Sequence, residues 1–430
     1  MSIDDAIRLH EAGRLREAER LYRSMLDVDP RHPDALHLLG VLLTQTGDYA
    51  DAVEHIQAAL DVDQDSALFQ SSLAQAYFRS GKLVEAVEAL EDVVSRQPES
   101  FRAFSDLGAA LQESGQLDRA IAAYRRSIEL NPDLARVHFN LGTAFKASGS
   151  DADAVASVER ATAMDPSTGA YSAILAGYYL EADDPEAALQ ACRACLRVAP
   201  RDLMALTFMS IALARLGDGE SAARIVDFDR LIHKRQLAAP AGYGSIAEFN
   251  AALAAHVRAH PTLETEPGNN ATRYGKHTGN LMADSTGPIP VLAELIDAAV
   301  GDYLRALPVE PDHPYLARRP DELKYTMWSV VMGSQGHQLA HMHPDGWVSG
   351  VYYVALPEVM QTASDAEGGW IEFGRPLPEL TGTFEPEVRT IRPEEGMLVL
   401  FPSYFYHETI PFESTEQRIC IAFDAMPWFR

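Results

Sequence analysis

Residues 104–137 read FSDLGAALQESGQLDRAIAAYRRSIELNPDLARV. Apolar residues recur in this stretch three and four apart on both sides of Gly115, and Pro132 ends the second run. A helical pattern, a glycine where the chain must turn with φ unrestricted, a second helical pattern and a proline that blocks continuation describe a helix–turn–helix unit. Such a unit cannot bury its apolar face alone, so it calls for copies of itself on either side.

The copies are present. Steps of 34 residues meet Ala18, Ala52, Ala86, Ala120, Ala154, Ala188 and Ala222 without a break. A second column holds Gly13, Gly47, Gly81, Gly115, Gly149 and Gly217, with Asp183 in the remaining place, and a third holds Pro30, Pro98, Pro132, Pro166 and Pro200, interrupted by Gln64. The alanine stands where two helices must approach closely, and stacked units are expected to wind into a right-handed superhelix with a concave groove. These residues resemble the tetratricopeptide repeat. The resemblance covers about residues 2–232 in about seven repeats and implies an all-α solenoid that presents a surface to a peptide, a protein or a carrier-bound small molecule.

The whole chain has 430 residues, 47% of them hydrophobic, and a formal net charge of −26. That length suits two or three domains. The charge repels phosphate backbones and anionic lipid, which disfavours nucleic acid and membrane surfaces as bulk electrostatic partners. The start, MSIDDAI, has no basic or apolar leader and no run of about 18 apolar residues occurs, so a soluble cytoplasmic protein is expected, with oligomers possible. Cys192, Cys195 and Cys420 are too few for a disulfide framework, and the Cys192-x-x-Cys195 pair reads as core.

The register stops after about Asp229, and the Gly- and Pro-rich segment 239–244 (APAGYG) follows. A division into 1–234 and 235–430 is therefore expected. Helical patterns over 246–260 and around 291–307 give way to short β-rich runs at 325–332, 348–356, 369–373, 388–391, 397–401 and 418–423. Several short strands with turn punctuation and no helices between them point to an antiparallel jelly roll, a double-stranded β-helix with flanking helices.

Histidines cluster in this half: QLAHMHPDGW over 338–347 contains both His341-x-His343 and His343-x-Asp345, and His407 stands alone in FPSYFYHE over 401–408. Residues two apart on an extended chain point the same way, so either pair can offer two ligands to one metal. Two histidines and a carboxylate on one face leave three positions on Fe(II) for a bidentate cosubstrate and O2. Arg418, eleven residues after His407 and on the following β-run, carries a permanent charge suited to the far carboxylate of 2-oxoglutarate.

Here the chain resembles the iron(II)- and 2-oxoglutarate-dependent oxygenases, and more narrowly a bacterial branch whose members often carry tetratricopeptide repeats ahead of the oxygenase domain. The matching stretches are His341-Met342-His343-Pro344, SGVYYV over 349–354, GMLVLFPSYFYH over 396–407 and 418–423, together with Asn250-x-x-Leu253 and Thr272-x-x-Gly275-x-x-Thr278-Gly279-x-Leu281. The resemblance implies a dioxygenase that hydroxylates a recruited substrate, with Fe(II), 2-oxoglutarate and O2. It leaves two ligand sets open: charge favours His343, Asp345 and His407, while the family pattern favours His341, His343 and His407. Tyr325, Trp328, Gln338 and Tyr352 are candidates to line the cosubstrate pocket with Arg418. Cys420 stands where related oxygenases commonly carry a hydroxyl, Trp347 and Trp370 read as packing, and His277 and His337 read as ordinary histidines rather than ligands.

Overall fold

The computed structural model describes residues 2–265, 271–362 and 367–429. The chain forms an all-helical tetratricopeptide solenoid followed by a curled antiparallel sheet, and it divides into two compact units, Met1–Pro166 and Ser167–Arg430.

The first unit consists of helix pairs such as Phe101–Glu113 with Leu117–Leu130. Ser66 and Ser100 cap their helices by accepting from the backbone N–H three residues on, at 3.4 and 3.3 Å. The alanine and glycine columns have separate physical causes. Six of the alanines are 0% exposed, whereas Ala222 is half-buried because its helix, Gly219–Ile225, is only 7 residues long. The glycines of the turn column all take φ between +72° and +91°, and a Cβ there would touch nothing within 4 Å, so the demand is purely conformational. Asp183 fills the odd place in the column by adopting the same left-handed conformation, φ +61°, and pairs with Arg215. Gly108 answers a different need, since a Cβ on it would lie 2.6 Å from the Tyr124 ring.

In the second unit the last helix pairs share one core with the sheet. Leu203, Leu206, Ile211, Phe228 and Leu231 pack in the same buried cluster as Leu253, Tyr303, Val330, Phe405 and Ile421. Tyr404 stitches the two parts: its hydroxyl donates to the Ile225 carbonyl at 2.5 Å, and its own carbonyl accepts from Thr207 Oγ1 at 2.7 Å. Cys192 and Cys195 are buried free thiols of these helices, as packing requires, and burial pushes the Cys195 thiol up to about 12.

Among the described residues, ten strands build the sheet: β1 His233–Gln236, β2 Glu264–Thr265, β3 Thr272–His277, β4 Glu322–His341, β5 Val348–Ala355, β6 Ile371–Phe373, β7 Arg389–Ile391, β8 Met397–Pro402, β9 His407–Thr409 and β10 Arg418–Trp428. All pairings are antiparallel, in the order β1-β8-β5-β10-β4-β9-β6-β7, with the β2–β3 hairpin also on β4. The helices Ile246–Arg258 and Pro288–Ala306 flank it. Two features depart from the expected strands. β1 joins the sheet through the register His233↔Leu400, so the expected division at 234/235 falls inside a strand. β4 runs to His341 rather than stopping at Met332, because the Gly333–Gly336 region bulges without leaving the sheet, with Gln335 at φ +63°.

Candidate metal centre

The continuation of β4 and the short strand β9 bring the histidines together. His341 and His407 are directly opposed across the β4–β9 pair, with ring centroids 4.3 Å apart. His343 follows two residues after His341, its backbone N–H bonded to the Ser403 carbonyl at 2.9 Å, and its ring lies 5.1 Å from that of His341 and 5.2 Å from that of His407. One ring nitrogen of each lies within 4.8 Å of those of the other two.

Each ring is oriented through Nδ1. That of His341 bonds the Leu339 carbonyl at 2.7 Å, that of His407 the Phe405 carbonyl at 3.0 Å, and that of His343 the Asp424 carboxylate at 2.8 Å. Three acceptors hold three Nδ1–H groups, which fixes the tautomer that leaves each Nε2 lone pair for an ion. Burial first, then the neighbouring imidazoles, hold His407 well below the usual histidine range and His341 down to about 4, so both are neutral near pH 7.

Asp345, the carboxylate of one expected ligand set, is not brought to this cluster. It is exposed in the turn after His343, where with Pro344 and residues 200–204 it lines a separate cavity of about 620 Å³. The His343-Pro344-Asp345 segment has left the strand, so the rule that residues two apart face the same way no longer applies.

Arg418 opens β10 and is 1% exposed. Among the described residues no carboxylate pairs with it: Nη1 reaches Cys420 Sγ at 3.3 Å and Met332 Sδ at 3.8 Å, the Tyr353 ring faces the guanidinium at 5.2 Å, and Nε has no partner. The Tyr353 hydroxyl is likewise buried, with no hydrogen-bond partner among the described residues. An uncompensated buried cation costs several kcal/mol, roughly, so this arrangement suits an anion held by the guanidinium and the phenol. Arg418 shares one cavity with the three histidines, Trp328 and Gln338. Trp328 stacks on His343 at 5.8 Å, and Gln338 accepts from Thr409 Oγ1 at 3.5 Å.

Two expected pocket residues lie elsewhere. The Tyr352 hydroxyl donates to Asn250 Oδ1 at 2.6 Å on the opposite face of β5, and the strand's alternation puts Tyr353 against Arg418 instead. Tyr325 lies near the far end of β4 from His341 and bonds Asp297 at 2.9 Å. His337 bonds the Gln335 carbonyl, His277 the Thr272 hydroxyl, and Trp347 stacks on Tyr315 at 4.3 Å. Asp424 was not anticipated. It orients His343 and also accepts from Ser349 Oγ at 2.6 Å, and its one sequence signal is a lone acid in the apolar strand RICIAFDAMPW.

Residues 326–424, which contain every residue of this cluster, match a family described as "Putative 2OG-Fe(II) oxygenase". Tetratricopeptide families match over 9–76, 45–111, 112–149 and 139–202. Similar solved structures include MamA (from residue 41) of Desulfovibrio magneticus RS-1, 22% identical over 38% of this chain and 93% of that one, TM-score 0.37. Another is a thermophilic tetratricopeptide protein of Thermus thermophilus, 24% identical over 42% and 99%, TM-score 0.35. A third is YrrB, described as a tetratricopeptide protein with an unusual peptide-binding site, 19% identical over 43% and 95%, TM-score 0.36. No curated protein matches the chain. Among the described residues no helix is long and apolar enough to cross a membrane.

Proposed function

We propose that this chain, in which tetratricopeptide repeats and an oxygenase-family region share one polypeptide, is an Fe(II)- and 2-oxoglutarate-dependent hydroxylase acting on a peptide, protein or carrier-bound substrate in the cytoplasm. The observation that carries the reading is the pairing, in one cavity, of three imidazoles whose Nδ1 atoms are already bonded and a buried guanidinium with no counter-ion among the described residues. The donor set fits the metal: imidazole suits Fe(II), and Nδ1 hydrogen bonds pre-orient all three rings. We assign His341, His343 and His407 as the ligands, with Asp424 holding His343, and Arg418 with Tyr353 as the grip on the cosubstrate's far carboxylate.

Bound there, Fe(II), 2-oxoglutarate and O2 would supply oxidative decarboxylation coupled to hydroxylation of a C–H bond. The chain's own contribution is orientation and exclusion of water. Arg418 and Tyr353 fix one end of the cosubstrate so that its other end meets the histidines, while Trp328, Phe401 and Phe373 wall the ligands with apolar rings. In this reading residues 1–234 recruit the substrate and 235–430 oxidise it.

Anaerobic addition of Fe(II) and 2-oxoglutarate should produce a metal-to-cosubstrate charge-transfer band, and admission of air should release succinate. His407→Ala should abolish both. Absence of band and succinate in the wild-type chain would leave a non-catalytic repeat scaffold with a metal-binding barrel as the better description.

A further inference from the structure

The described residues contain a second convergence of imidazoles on a carboxylate, separate from the cavity of Arg418. His256 stands in the last turn of the helix Ile246–Arg258, and His260 lies two residues beyond that helix. The backbone spiral carries on past the helix end through bonds from Ala259 to Ala255 and from His260 to Val257, each 3.2 Å, so the two rings share a face, with centroids 5.7 Å apart. Asp284, which ends the short turn of helix Leu281–Ala283, faces both: its Oδ2 is 2.7 Å from His256 Nε2 and its Oδ1 is 3.4 Å from His260 Nε2. One ligand atom of each residue lies within 4.8 Å of the other two. The side chains are 27%, 10% and 20% exposed for His256, His260 and Asp284, sheltered yet reachable.

We propose that His256, His260 and Asp284 form a second metal site, for a divalent ion of the zinc class with water as its fourth ligand. Two imidazoles and a carboxylate are three of the four ligands a tetrahedral Zn²⁺ takes, and bonds of about 2.0–2.1 Å imply ligand–ligand edges of roughly 3.3 Å. The two separations run to different oxygens of Asp284: the 3.4 Å one matches that edge and is near the limit of a hydrogen bond, while the 2.7 Å one is an ordinary hydrogen-bond distance that would lengthen on metal binding. His260 Nδ1 lies 2.8 Å from Thr262 Oγ1, an acceptor that would hold the Nε2-ligating tautomer; the Thr262 backbone nitrogen, at 3.3 Å, favours the opposite one. The competing arrangement is therefore a metal-free staple in which both imidazoles donate to Asp284.

The ion's work would be structural. The turn that ends at Asp284 is held to β4 through Asn280 Oδ1, which accepts from Met327 N–H at 3.2 Å, and through Thr278 Oγ1, which accepts from Ser329 N–H at 2.9 Å. Thr262 Oγ1 also accepts from Gly279 N–H at 2.8 Å. A metal here would lock the helix end to the outer side of the strand that leads to His341.

The site does not depend on the oxygenase reading, and the test separates the two. The full chain, stripped by chelator, is titrated with Zn²⁺ alone, with uptake counted by equilibrium dialysis and the thermal midpoint followed. Wild type should take up two equivalents, the His341→Ala/His407→Ala chain one, and the His256→Gln/His260→Gln chain one. Zn²⁺ should still raise the midpoint of the first variant. Asp284→Asn, which preserves shape but replaces one acceptor oxygen with a donor amide nitrogen, should weaken the second equivalent at least tenfold while leaving the circular dichroism spectrum unchanged. A single equivalent in wild type, lost with His407 and indifferent to His256 and His260, would overturn the proposal and establish the metal-free staple.

Discussion

Arg418 is where stability and function pull apart. A guanidinium buried against two sulfur atoms and a tyrosine face is a cost the ligand-free fold carries, and a bound dianion would offset it. Arg418→Met, which keeps the stem and removes the charge, should therefore stabilise the ligand-free chain by about 1–4 kcal/mol in urea unfolding and abolish the stabilisation that 2-oxoglutarate confers. A structural arginine would show the reverse, a loss of stability and no change in the ligand's effect. Asp424 makes the complementary case. Asp424→Asn keeps the shape but can present its amide nitrogen to His343 Nδ1, favouring the wrong tautomer, so Fe(II) affinity should fall about 10–100-fold with little change in unfolding midpoint. Calorimetric titration of the anaerobic chain with Fe(II) reads that difference.

At the scale of elements, the repeats were open to reading because each column answers one local demand. Gly115, at φ +77° with open space around it, should cost about 1 kcal/mol on change to Ala, a conformational penalty alone. Gly108→Ala should cost about 1–3 kcal/mol by overpacking against Tyr124, and Tyr124→Leu should relieve it in part while leaving the Gly115→Ala penalty untouched. Chemical denaturation of the wild type, the three single variants and the two doubles that carry Tyr124→Leu checks both. The sheet was legible only where strands are apolar throughout. β5, β8 and the start of β10 are nearly all buried and stood out, but β9 spans three residues, and β4 passes through Gly-Ser-Gln-Gly, which looks like a turn until Gln335 is seen to bulge in place. Tyr352 reads as a pocket candidate, and Tyr353 draws no notice, for a related reason: in a strand buried on both faces, alternation of polarity no longer tells which face is which. His256 and His260 carried a readable i, i+4 spacing, but their carboxylate lies 24 residues further on in a turn without periodicity.

Across the whole molecule, neutral buried histidines make acid the weak side of the stability curve. His277 is brought down to about 4 by burial, below the value near 6.5 of an unfolded chain, so the unfolded state binds the extra proton first. Its contribution is intact above pH 6.5 and is lost as pH falls from 6.5 towards 4; His341 and His407 act in the same direction in the metal-free chain. His277→Gln should flatten the fall of the urea midpoint across that window, and an unchanged slope would exclude His277 as a contributor. The same scale decides where the chain can be cut. The last repeat helices bury Leu203, Leu206, Ile211, Phe228 and Leu231 in the core that also holds Leu253, Tyr303 and Phe405, and β1 pairs with β8 across 234/235. Cleavage or recombinant division at 234/235 would open that core on both sides, while division at 166/167 follows the boundary between compact units. Residues 167–430 should then be soluble and unfold cooperatively, and should form succinate from 2-oxoglutarate at a rate no longer raised by the substrate that residues 1–166 help to recruit. Residues 235–430 should aggregate. If 235–430 instead folds with a sharp thermal transition, the shared core is not what holds the sheet together.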